Sequence, residues 1–156
     1  MPAQQRTKEL KTFSMQVITL DEIKRDERKM KLLHIINYLG SISERALTHL
    51  LYLLKEEKGI DLGYNFVMLG GKPVSKEVLE DIRALLYVGL IENNPRNRKL
   101  QVTSNGLEFL EKNPLPKEVM DGIYQAIEEL KPKILPIDAE VELSMTSSAG
   151  ARGRRR

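Results

Sequence analysis

Residues 90–103 read LIENNPRNRKLQVT. Leu90-Ile91-Glu92 is a short strand by composition, and Lys99-Leu100-Gln101-Val102-Thr103 is a matching return strand. Between them, Asn93-Asn94-Pro95-Arg96-Asn97 is built of residues that favour turns. The stretch therefore predicts a two-stranded hairpin whose tip carries Arg96 and Arg98 and whose second strand opens on Lys99.

Helices are expected on both sides of this hairpin. Upstream, Ser75 opens a helix whose Val78, Leu79, Ile82, Leu85 and Leu86 recur at helical spacing, and Gly89 ends it. Before that helix, Tyr64 to Leu69 favours a short strand and Gly70-Gly71 a turn. An earlier helix starts in the segment SISER, where Ser41 and Glu44 have capping-box spacing and Ser43 is a competing cap. Its Ala46, Leu47, Leu50, Leu51 and Leu54 require burial on more than one side, in a central helix or a dimer contact. A first helix is expected from about Asp21 to Leu39, with Thr19 or Asp21 as cap and Gly40 as stop.

Downstream, Thr103-Ser104-Asn105-Gly106 leads into a short helix, Leu107 to Lys112. Its Leu107, Phe109 and Leu110 are expected to pack under the hairpin. Pro116 opens a last helix with Val119, Met120, Ile123, Tyr124, Ile127 and Leu130, expected to stop before Pro132.

The chain has 156 residues, enough for one domain with its own core. The absence of cysteine excludes disulfides, thiolate nucleophiles and cysteine-based metal sites. Two histidines, His34 and His49, exclude a histidine-rich metal cluster, and no HExxH spacing is present. Gly70-Gly71-Lys72 lacks phosphate-loop spacing and is read as a turn. No catalytic residue, cofactor or metal is assigned, and the expectation is a non-enzyme. The polar start MPAQQRTKELK lacks the apolar run of a secretory signal, and no stretch approaches the roughly 20 apolar residues of a membrane span. A cytoplasmic protein without membrane contact is expected.

A hairpin directly after a three-helix unit is the pattern of a winged helix-turn-helix. The fold class expected is α+β, mostly helical. Residues 1–20 form an N-terminal arm, 21–112 the winged domain, 113–131 an additional C-terminal helix and 132–156 a basic tail without order. Over about Lys31 to Lys112 the chain resembles the small archaeal and bacterial YwgA-like and Panacea-like winged-helix families. The resemblance rests on the leucine-rich helix and on GYNFVMLGGKPVSKEVLEDIRALLYVGLIE, with Gly71-Lys72-Pro73-Val74-Ser75 at the join and TSNG after the wing. It implies a fold that serves DNA, RNA or protein partners.

The expected function is duplex DNA binding by a transcriptional or chromosome-associated factor, with a homodimer as the assembly. The runner-up is a protein-interaction module of a larger complex. Arg96, Arg98 and Lys99 of the wing are the candidate phosphate contacts. On the helix from Ser75, the non-core positions are Lys76, Glu77, Glu80, Asp81, Arg83 and Tyr87. Lys76, Arg83 and Tyr87 are the candidate DNA contacts there, against an acidic balance that disfavours groove reading. The net charge is +3. Residues 131–156 carry that whole excess, and Arg152, Arg154, Arg155 and Arg156 are the candidate contact arm.

Overall fold

The computed structural model describes residues 19–154, with side chains described as far as Leu143. Apart from its last two residues, the expected N-terminal arm lies outside the described residues. The elements are α1 (Leu20–Arg25), α2 (Glu27–Leu39), β1 (Ser41–Ser43), α3 (Glu44–Lys58), β2 (Val67–Leu69), β3 (Lys72–Val74), α4 (Lys76–Tyr87), β4 (Ile91–Asn93), β5 (Lys99–Val102), α5 (Ser104–Lys112) and α6 (Lys117–Arg154). The fold is α+β and mostly helical. No helix among the described residues is long and apolar enough to cross a membrane.

The predicted first helix is two helices. Thr19 caps α1 by accepting from the Glu22 amide. Asp26 then leaves helical geometry and caps α2, accepting from the Lys29 amide at 3.2 Å. An aspartate favours this break because its carboxylate satisfies an amide that the helix start leaves unpaired.

Ser43 rather than Ser41 caps α3, accepting from the Ala46 amide at 3.2 Å. Ser41 to Ser43 is instead a strand, β1. It pairs antiparallel with β5, placing Ile42 opposite Leu100, and β5 pairs with β4, placing Ile91 opposite Val102. The sheet order is β1-β5-β4. A three-residue strand has no periodicity to announce it, so only its pairing reveals it. The same holds for β3, which pairs with β2 across the Gly70-Gly71 turn.

The Leu-rich α3 is the centre of the molecule. Its Leu47, Leu50, Leu51 and Leu54 are buried, and the helix packs chiefly on α6, with further contacts to β1 and β3. Each such side chain contributes roughly 1.5–3 kcal/mol on burial. α6 supplies Met120, Ile123, Ile127, Leu130 and Ile134 as its buried stripe.

The expected end of α6 before Pro132 is corrected: the helix runs on to Arg154 with Pro132 and Pro136 inside it. The two prolines lie four residues apart on the exposed face. There, water can satisfy the carbonyls that lose an amide partner. On the opposite face Leu130, Ile134 and Asp138 are buried at consecutive turns, and this packing outweighs the proline penalty of about 3 kcal/mol. The tail expected over 132–156 is therefore helical at least as far as Arg154.

The TSNG segment has a definite job. The Thr103 hydroxyl donates to the Gly89 carbonyl at 2.6 Å and accepts from the Gly106 amide at 3.0 Å, capping α5 and fastening it to the end of α4. A Cβ on Gly106 would lie 2.1 Å from the Leu90 carbonyl oxygen, so only glycine permits this approach. Leu110 is buried as expected, whereas Leu107 is 48% exposed because it faces away from the hairpin.

Candidate nucleic-acid interface

Ser75 caps α4 by accepting from the Val78 amide at 3.3 Å. With Val78, Ile82 and Leu85 buried, the helix presents Lys76, Glu80, Arg83 and Tyr87 outward. These positions are spaced by four, three and four residues and so form one narrow stripe. Tyr87 is 52% exposed.

The sequence places Asp81 among the outward positions, and the structure corrects this. Asp81 is fully buried. Arg28 of α2 grips it with two bonds, Nε to Oδ2 at 2.8 Å and Nη2 to Oδ1 at 3.0 Å. Lys29 Nζ lies 3.2 Å from Oδ1, and the Tyr64 hydroxyl donates to Oδ2 at 2.7 Å. The bond to Asp81 raises the Arg28 guanidinium further above its ordinary value. Burial, joined by the Asp81 charge, pushes the Tyr64 hydroxyl up. Glu77 is half-buried and engaged, accepting from the Asn65 amide at 2.8 Å. Two of the three carboxylates that made α4 look acidic are thus engaged within the chain. Glu80 remains, 3.9 Å from Lys76 in an exposed pair worth little.

The wing tip is tied by its asparagines. Asn94 Oδ1 accepts from the Arg96 amide and Asn97 Oδ1 from the Lys99 amide. The Asn94 amide donates to the Lys99 carbonyl at 2.9 Å, and Arg98 adopts φ +56°. A non-glycine residue in this left-handed region is strained, and the Arg98 amide donates to the Asn94 carbonyl at 2.7 Å within the turn. The side chains of Arg83, Arg96 and Arg98 are exposed and have no ion-pair or hydrogen-bond partner among the described residues.

Lys99, the third expected phosphate contact of the wing, is engaged within the chain. Its Nζ lies 2.8 Å from Glu142 and 3.7 Å from Asp138, both on α6. The bond to Glu142, with smaller help from Asp138, raises its pKa against the effect of burial. Asp138 is itself buried and accepts from both the amide and the hydroxyl of Ser43, at 2.9 and 2.5 Å. One carboxylate therefore joins α6, β1, the cap of α3 and the wing.

Arg98 shares a groove of about 590 Å³ with Lys72 of β3 and Arg45 of α3. Lys72 and Arg45 carry no local signal in the sequence, because only folding brings residues 45, 72 and 98 together. Asp138 likewise stands in the stretch expected as a tail, and nothing local marks it as an anchor. Arg152 and Arg154 lie on α6 beyond the described side chains, and Arg155 and Arg156 lie outside the described residues. A larger groove of about 820 Å³ beside α1 is lined by charges of both signs and offers no single-signed surface. Among the described residues no group of three or more metal-ligating side chains occurs. His34 is half-buried in α2, and His49 of α3 makes an edge contact with Tyr52 at 6.2 Å. No family model matches the chain, and no curated protein or solved structure matches it either.

Proposed function

We propose that the protein is a winged-helix module that binds duplex DNA through the outer stripe of α4 and the wing tip. In this reading α3 and α4 form the helix-turn-helix and the β4–β5 hairpin is the wing. The observation that carries it is the burial of Asp81 against Arg28 and Lys29. It leaves Lys76, Arg83 and Tyr87 with a single carboxylate, Glu80, on the face a groove would meet. Arg96 and Arg98 would hold phosphates and add salt-dependent affinity.

The test is duplex binding against salt concentration. Arg83→Ala and the pair R96A/R98A are each expected to weaken binding, and each lost phosphate contact lowers the salt slope by about one. Lys99→Ala is expected to leave the slope unchanged, because Lys99 is already held by Glu142. A chain ended after Gly150 loses slope if Arg152 to Arg156 touch phosphate. Absence of duplex binding at low salt sinks the proposal.

A protein-interaction role is the second reading, favoured by β2. Its Val67, Met68 and Leu69 are 63%, 49% and 61% exposed on a strand paired on one side only. A homodimer belongs to the proposal through Leu135 and Leu143 of α6, 61% and 66% exposed. A monomeric mass at micromolar concentration removes it.

A further inference from the structure

The groove beside Arg98 differs in character from a surface for a phosphate strand. Its walls come from four distant parts of the chain: the start of α3, the β2–β3 hairpin with the start of α4, the wing, and α6. Its floor is apolar, formed by the half-buried Val74, Leu79 and Val141, with Leu69 exposed at its edge. Its rim is cationic. Lys72 and Arg98 have no side-chain partner among the described residues. Arg45 has only a loose contact, 3.8 Å, with Glu140. Glu44 is the one carboxylate in the lining. The wall formed by α6 is held in place by the Asp138–Ser43 and Glu142–Lys99 contacts, so the groove is built by the fold and does not depend on one loop.

We infer that this groove binds a small amphipathic anion, an apolar body bearing one carboxylate, with the carboxylate between Lys72 and Arg98 and the body over Leu69, Leu79 and Val141. The volume of about 590 Å³ suits such a molecule, since small-molecule sites run from roughly 300 to 1,000 Å³ with a few polar groups fixing orientation. A sugar–phosphate strand would satisfy the cations and leave the floor wet. An uncharged apolar molecule would cover the floor but draw no attraction from the two solvated cations. Only a ligand with both parts matches both features. The site shares Arg98 with the proposed duplex face but none of its other residues, and it is measurable without DNA.

The experiment titrates the full chain with 2-naphthoate, followed by its own fluorescence, and with 2-naphthalenemethanol as the neutral counterpart. One-site saturation is expected, at least about tenfold tighter for the acid than for the alcohol. The variant K72A/R98A changes two exposed side chains and should melt like the parent; it is expected to lose about tenfold in affinity for the acid and nothing for the alcohol. No saturation by the parent, equal affinity for acid and alcohol, or unchanged binding of the acid by K72A/R98A would each overturn the inference. Loss of duplex binding with naphthoate binding intact would overturn the proposed function and leave this site standing.

Discussion

Arg98 shows how a single backbone angle links stability to function. A left-handed φ costs a non-glycine residue roughly 1–2 kcal/mol, and glycine at such a position relieves it at some cost in unfolded-chain entropy. Arg98→Gly is expected to be as stable as the parent or up to about 1 kcal/mol more stable in urea unfolding. On the proposed function it binds duplex more weakly. A stable variant with undiminished duplex affinity would show that the arginine is not there for phosphate. His34 gives a second prediction at this scale. Burial holds its imidazole below the ordinary value, against a backbone contact from Asn113, and its Nε2 has no hydrogen-bond partner among the described residues. The folded state therefore takes up the proton less readily than the unfolded chain. The stability this preserves is complete above the ordinary histidine value of about 6.5 and is lost as pH falls below it toward the lowered folded value. Melting between pH 7.5 and pH 5 should show a fall that His34→Leu reduces. An identical fall in the variant would place the titrating group elsewhere.

At the scale of elements, α6 is the part that sequence pattern misplaced. Prolines are read as helix stops because a ring removes an amide and crowds the preceding turn. That rule treats each proline alone. Here both face water, while the other side of the helix keeps its contacts with α3 and β1. Asp138 is the hinge of that arrangement. Asp138→Ala leaves the Ser43 amide and hydroxyl without their acceptor and is expected to cost about 1–3 kcal/mol. A chain ended after Leu143 retains every buried side chain of α6 among the described residues and should melt with the parent. If Asp138→Ala unfolds no more readily than that truncated chain, α6 is anchored by its apolar stripe alone. The helix starts were more legible. Thr19 and Ser75 cap where cap chemistry puts them, whereas α5 starts at Ser104 behind its cap Thr103, three residues before the expected Leu107. Both serines lie in β1, and Ser43 caps because it is the strand's last residue, next to the helix start, with its hydroxyl within reach of the Ala46 amide.

Across the whole molecule, Asp81 ties α4 to α2 and to the segment holding Tyr64. Asp81→Asn keeps the shape but leaves Arg28 and Lys29 without their shared charge. Removing one partner of a buried pair costs about 3–5 kcal/mol, and the partial exposure of both cations places the expected loss at the lower end; urea unfolding measures it. A loss below about 1 kcal/mol would mean the network is screened by solvent. The leucine surplus of α3, which allowed a dimer contact, is covered by α6 within one chain. Helix positions, the hairpin from Leu90 to Thr103, the Gly70-Gly71 turn and most of the core were legible in the sequence, because period, caps and turn residues are local signals. Which polar side chains face inward was not. Asp81 and Arg83 differ by two positions on one helix and have the same local propensity to be exposed. Only the arrival of Arg28, Lys29 and Tyr64 from elsewhere decides that Asp81 is internal. In the same way Lys99 and Arg98 are neighbours at a basic wing, and only α6, carried past two prolines by its packing, takes one of them and leaves the other free. Local chemistry determined the elements; long-range charge pairing decided which surface they present.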